Sequence, residues 1–205
     1  MKAYLIKPLN LYNYTIFLYV VIALALPIVL PQGFEVLYLS SNYSNAVNLF
    51  FTYITKFAEW PGILFFAVVV LYFNRSKSFP FAIACLLTFA AISFLKQIAF
   101  PSSPRPRLWA SLHQIQIPET ASSLMQHSFP SGHTAFAVCM FFCLSVLFQK
   151  KIFSLIFAVL AILVALSRVY LMAHFVIDTA IGAMLGLFFG IFGNYLFDLY
   201  RVKHA

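Results

Sequence analysis

Charge is what this sequence has least of. Only 9% of its 205 residues are Asp, Glu, Lys or Arg, against about 25% in soluble domains. Hydrophobic residues make up 63%. A soluble fold of this size could not hide so much apolar surface, so much of the chain must face lipid. A separate soluble module is thereby excluded. Acidic residues are scarcest, five against thirteen Lys and Arg, for a formal charge of +8. In a soluble protein that balance would point to nucleic acid. Here the basic residues sit mostly in short breaks between apolar runs, the pattern of topology signals and anionic ligands, and a nucleic-acid partner is excluded. Cysteine is nearly missing. Cys85, Cys139 and Cys143 all lie inside apolar runs, none with histidine at a metal-ligand spacing, so they read as small buried hydrophobes. No internal repeat, low-complexity segment or linker divides the chain, and residues 1–205 read as one integral membrane domain.

What the sequence does contain is six apolar runs, at 15–31, 57–73, 79–100, 134–148, 152–166 and 175–200. About 20 apolar residues cross a bilayer, so the fourth and fifth are expected to extend into flanking residues. The fold class is therefore an all-α membrane protein of six transmembrane helices. Lys2 and Lys7 precede the first run, and Ala23-Leu24-Ala25 resembles a signal-peptide cleavage site. That triplet lies inside the run, however, so the run reads as an uncleaved helix. Pro31, Gly33 and the cluster 101–106 mark loops. Segment 41–56 mixes aromatic with polar residues, which predicts an external interfacial helix before the second span.

Six spans place both termini on one side. Loops there hold Lys2, Lys7, Arg75, Lys77, Lys150, Lys151, Arg201 and Lys203, which makes that side cytoplasmic. Lys56, Lys96, Arg105, Arg107 and Arg168 are left on the opposite side, against the trend. Four of these five flank the chain's unusual segments, which points to an anion-binding site.

Three such segments stand out. Lys96 to Arg105-Pro106 closes the third run. Pro130-Ser131-Gly132-His133 opens the fourth. Ser167-Arg168, His174 and Asp178 join the fifth to the sixth. With six spans, all three reach one membrane edge. Asp178 is one of five acidic residues, placed where a lone carboxylate is costly, and His174 lies four residues earlier, a spacing that shares a helix face. The pair either satisfies only itself or fixes the imidazole tautomer and frees the other nitrogen. Ser131 and Gly132 either cap an ordinary helix or offer a phosphate its free N–H groups. Lys96, Arg105 and Arg168 are either interfacial side chains or phosphate ligands. Arg107 reads as an interfacial charge or a headgroup contact. His113, Glu119 and His127 have no assigned role. Residues 107–126 contain no strong apolar run and are expected to form an external loop over the site.

Together the three segments closely resemble the signature motifs of the type-2 phosphatidic acid phosphatase superfamily. The second and third match in full. The first departs, with eight residues between Lys96 and Arg105 where the family has six. The resemblance implies that fold, and a membrane lipid phosphatase acting on a phosphomonoester or diphosphate. It implies His174 as the nucleophile that becomes a phosphohistidine, Asp178 as its orienting partner, and His133 as acid and then base. Lys96, Arg105, Ser131, Gly132 and Arg168 would bind phosphate. No cofactor and no metal are expected. The short chain fits a bacterial member, in the inner membrane with its site facing the periplasm. A phosphotransferase on the same chemistry is the alternative, and a lipid-phosphate transporter a more distant one, since its site would lie nearer the midplane. The preferred lipid and the oligomeric state are not legible in the residues.

Overall fold

The computed structural model describes residues 11–204, with side chains described as far as residue 199. Lys2 and Lys7 lie outside the described residues, and so do the side chains of Arg201 and Lys203, so that part of the charge tally has no structural counterpart. Every regular element among the described residues is helical.

In chain order the helices are α1 (Leu11–Val29), α2 (Phe34–Ser41), α3 (Asn45–Thr55), α4 (Trp60–Phe73), α5 (Arg75–Phe94), α6 (Pro106–Leu112), α7 (Gly132–Phe148), α8 (Lys151–Tyr170) and α9 (Val176–His204). Four stretches have the length and apolarity to cross a membrane: α1, α5 with its continuation to Ala99, α8, and α9 to Leu199. The second expected span is instead a bent pair, 45–58 and 60–73, turning by 53° at a short 3₁₀ break. The fourth is α7, only 17 residues long. The expected six runs thus appear as four full-length helices, one bent pair and one short helix.

The reason α7 can be short lies in its surroundings. From Ala135 to Leu144 all its side chains except Phe136 are buried. A helix that is apolar all round belongs in a core, and α7 packs chiefly against α9, α8 and α5. Outer helices show lipid-facing character: Phe17, Ile28, Phe65, Phe89 and Phe188 are exposed. The Tyr12 hydroxyl donates to the Val138 carbonyl at 2.6 Å, tying α1 to the core helix.

Two close approaches set the position of α9. A Cβ added at Gly182 would meet the Ser131 carbonyl oxygen at 2.5 Å, and one at Gly186 would collide with the backbone of Ala135. Only glycine lets α9 lie so near the start of α7.

Segment 41–56 departs from the expectation in extent. The helix α3 covers Asn45–Thr55 but is the first limb of the bent pair. A further helix, α2, precedes it, with Gly33 at its N-cap in the left-handed region at φ 74°. Within the expected loop 107–126, residues up to Leu112 are helical in α6. Proline at its first turn costs no hydrogen bond.

Candidate active site

The three motif segments meet at one end of the bundle. Lys96 lies on the turn that continues α5, where Phe100 N–H donates back to the Leu95 carbonyl at 2.8 Å. That turn, Leu95–Ala99, is π-helical and takes one residue more than an α-turn. The wide first-motif gap does not part its two cations. Lys96 Nζ donates to the His127 carbonyl at 2.8 Å, and Arg105 Nη2 donates to the same oxygen at 3.2 Å.

Arg105 is buried. It also donates from Nε to the Gln126 carbonyl at 2.7 Å and from Nη1 to the Ala173 carbonyl at 2.8 Å. Its guanidinium therefore clamps the segment before the second motif to the turn that carries His174. Burial lowers its pKa and the Asp178 carboxylate opposes that change, and an arginine stays charged in either case.

His174 does not lie on a helix. It sits in the turn before α9, 2% exposed. Its Nδ1 is 3.5 Å from Asp178 Oδ2, beyond a good hydrogen bond. The Ser128 hydroxyl completes a triangle. It donates to Asp178 Oδ2 and lies 3.4 Å from His174 Nδ1. Asp178 Oδ2 also accepts Phe175 N–H at 3.0 Å, so the third residue of α9 caps the helix start, as in a capping box. Burial first, then the charges of Lys96, Arg105 and Arg168, hold the His174 imidazole well below its ordinary pKa of 6.5. The ring is neutral at pH 7.

Ser131 caps α7, accepting Thr134 N–H at 3.5 Å, and its own N–H donates to the Asp178 carbonyl at 3.0 Å. The second motif is thus stitched to the third through the backbone. His133 follows on the first turn of α7, its side chain one-third exposed. Arg168 arrives from the last turn of α8. Its Nη1 donates to the Thr55 hydroxyl at 2.8 Å, while Nε is buried without a hydrogen-bond partner.

All eight residues expected from the sequence therefore converge. Five others join them. Ser128 and His127 stand just ahead of the second motif, and His127 Nδ1 lies 3.1 Å from the Lys96 carbonyl, returning that lysine's hydrogen bond. Thr55 and Glu59 come from the break between α3 and α4, with Glu59 Oε1 4.0 Å from His133 Nε2. Glu35, on α2, accepts Val176 N–H at 2.9 Å, and burial raises its pKa. A signal existed for two of them: Glu35, Glu59 and Asp178 are three of the chain's five acidic residues. Arg107, by contrast, donates to the Ser122 carbonyl within its own loop. Among the described residues no three His, Cys, Asp or Glu side chains gather as metal ligands.

The arrangement offers a neutral, oriented imidazole, a second histidine and three cations around one space. Such a set can bind a phosphate and transfer it.

No curated protein sequence matches the chain. Among solved structures, LpxE of Aquifex aeolicus aligns with a TM-score of 0.66 at 24% identity, over 77% of this chain and 91% of the other. A transmembrane PAP2-type phosphatidylglycerolphosphate phosphatase from Bacillus subtilis aligns with a TM-score of 0.55 at 21% identity, over 95% of this chain and 97% of the other. These likenesses establish the transmembrane fold, and the chain is an integral membrane protein. Residues 77–200, more than half the sequence and all three motifs, match the PAP2 superfamily, and it is to this family that the chain belongs.

Proposed function

We propose that the protein is a lipid phosphate phosphatase working through a phosphohistidine on His174. The observation that carries this reading is the His174–Ser128–Asp178 triangle beside the unpartnered Nε of Arg168. With Nδ1 facing Asp178 and Ser128, the proton belongs on Nδ1 and the lone pair on Nε2. Nε2 attacks phosphorus, a P–N bond forms, and the bond to the leaving oxygen breaks. His133 gives that oxygen a proton. Asp178 stabilises the positive charge left on the His174 ring. His133, now neutral, takes a proton from water as the water attacks phosphorus. The P–N bond breaks, and phosphate and free His174 result. Lys96, Arg105, Arg168, Ser131 and the Gly132 N–H hold the three equatorial oxygens, in the way charge is neutralised in phosphoryl transfer. These cations stand where a metal would otherwise be needed, so the reaction is metal-independent.

The substrate is amphiphilic, its chains remaining in the bilayer while the phosphate enters at the membrane edge. The positive-inside pattern turns that edge to the periplasm or exterior of a bacterial inner membrane. The Bacillus subtilis neighbour makes phosphatidylglycerol phosphate the first lipid to test, beside phosphatidate, lipid A phosphate and undecaprenyl diphosphate. Phosphate release by the detergent-purified protein, with EDTA present, is the expected result, and His174→Ala abolishes it. Release that chelation stops would overturn metal independence. Phosphate that appears on an added lipid or sugar acceptor, and not in water, would make the protein a phosphotransferase.

A further inference from the structure

Glu59 is the acidic residue of the site that no structural task explains. Asp178 caps α9 and accepts the Ser128 hydroxyl. Glu35 is occupied by Val176 N–H. Glu59 sits at the N-cap of α4, yet its side chain makes no cap hydrogen bond. Its carboxylate is 4.0 Å from His133 Nε2, with 42% of the side chain exposed. Its negative charge also acts on the Arg168 guanidinium. A carboxylate beside the acid–base histidine, acting on one of the phosphate-binding arginines, is at odds with anion binding, since it repels the ligand that site attracts. It stands at the bend between α3 and α4, outside the buried network.

We propose that Glu59 is an internal counter-anion of the phosphate site. It stands beside His133, acts on the charge of Arg168 and competes with a phosphate dianion for both, so that product phosphate leaves readily. The three cations would otherwise bind the inorganic product as firmly as the phosphate of a substrate. This inference rests on the phosphate-binding reading above, and the experiment separates the two.

The test is the affinity for inorganic phosphate, measured as competitive inhibition of lipid phosphate hydrolysis and as thermal stabilisation of the detergent-purified protein. Wild type, Glu59→Gln and Glu59→Asp are compared. Because Glu59 makes no cap bond, the Gln variant keeps the fold, and an unchanged melting temperature without phosphate verifies that. Expected is about fivefold tighter phosphate binding in Glu59→Gln, with a lower KM, and near wild-type behaviour in Glu59→Asp. A variant that merely damaged the site would bind phosphate more weakly, so the direction of the change is diagnostic. Unchanged or weaker phosphate binding in Glu59→Gln, with wild type hydrolysing lipid phosphate and inhibited by phosphate, would overturn this inference alone. A wild type that neither hydrolyses nor binds phosphate would overturn it together with the proposed function.

Discussion

Ser128 carries the sharpest consequence at the scale of single residues. Its hydroxyl is buried between the His174 ring and the Asp178 carboxylate, and without it the carboxylate keeps only the Phe175 N–H on Oδ2. A hydrogen bond to a charged group contributes about 1.5–3 kcal/mol. Ser128→Ala is therefore expected to lower kcat about ten- to hundredfold while KM stays near wild type, because Ser128 itself has no place among the phosphate ligands. Steady-state kinetics on one lipid phosphate measures both, and an equal rise in KM would argue against orientation as its role. The eight motif residues were legible because their spacing is a pattern in sequence. Ser128 and His127 were not, because they act through a backbone carbonyl and a hydroxyl whose partners lie 31 and 50 residues away. A serine ahead of Pro-Ser-Gly-His looks like any loop serine until the chain has folded.

The element that most governs the site is α9 in its seat against α7. Its N-terminus must lie where Ser131 N–H reaches the Asp178 carbonyl, and Gly182 and Gly186 make that approach possible. Gly186→Ala would place a methyl against the Ala135 backbone, which has no flexible end to move aside. Overpacking of this kind costs about 1–3 kcal/mol. A lower melting temperature in detergent and reduced activity are expected together, whereas a neutral Gly186→Ala would mean that the helices can part without disturbing the motifs. The same scale explains two differences from the sequence reading. The second span bends because Glu59 leaves the helical region for an extended conformation, and Pro61, in the first turn of α4, has no N–H with which to continue the preceding helix through the break. The apolar count could not see that break. The π-turn at Lys96 similarly has no hydropathy signature, yet it brings a lysine with an unusual spacing back beside Arg105.

At the scale of the whole molecule the property to test is direction across the membrane. The motif end and the end bearing Arg75, Lys77, Lys150 and Lys151 are opposite ends of the bundle, since α5 runs from one to the other. Cysteines introduced at Glu119 and Ser76, both exposed, should therefore differ in intact cells. A membrane-impermeant maleimide is expected to label Glu119→Cys and to leave Ser76→Cys unlabelled until the membrane is opened. The reverse pattern would turn the site to the cytoplasm and set aside the positive-inside argument.

Composition and periodicity alone determined that this is a helical membrane protein, because too little charge and too much apolar surface leave no other solvent for the chain. The motifs alone determined its family, because two histidines, an aspartate and three cations at set spacings are a pattern that apolar runs do not otherwise contain. Only the tertiary structure decided how those groups are held: the serine between His174 and Asp178, the carbonyl shared by Lys96 and Arg105, and the carboxylate opposite His133. These depend on contacts between segments far apart in the chain, set by helix packing and backbone hydrogen bonds, and no local pattern of residues encodes them.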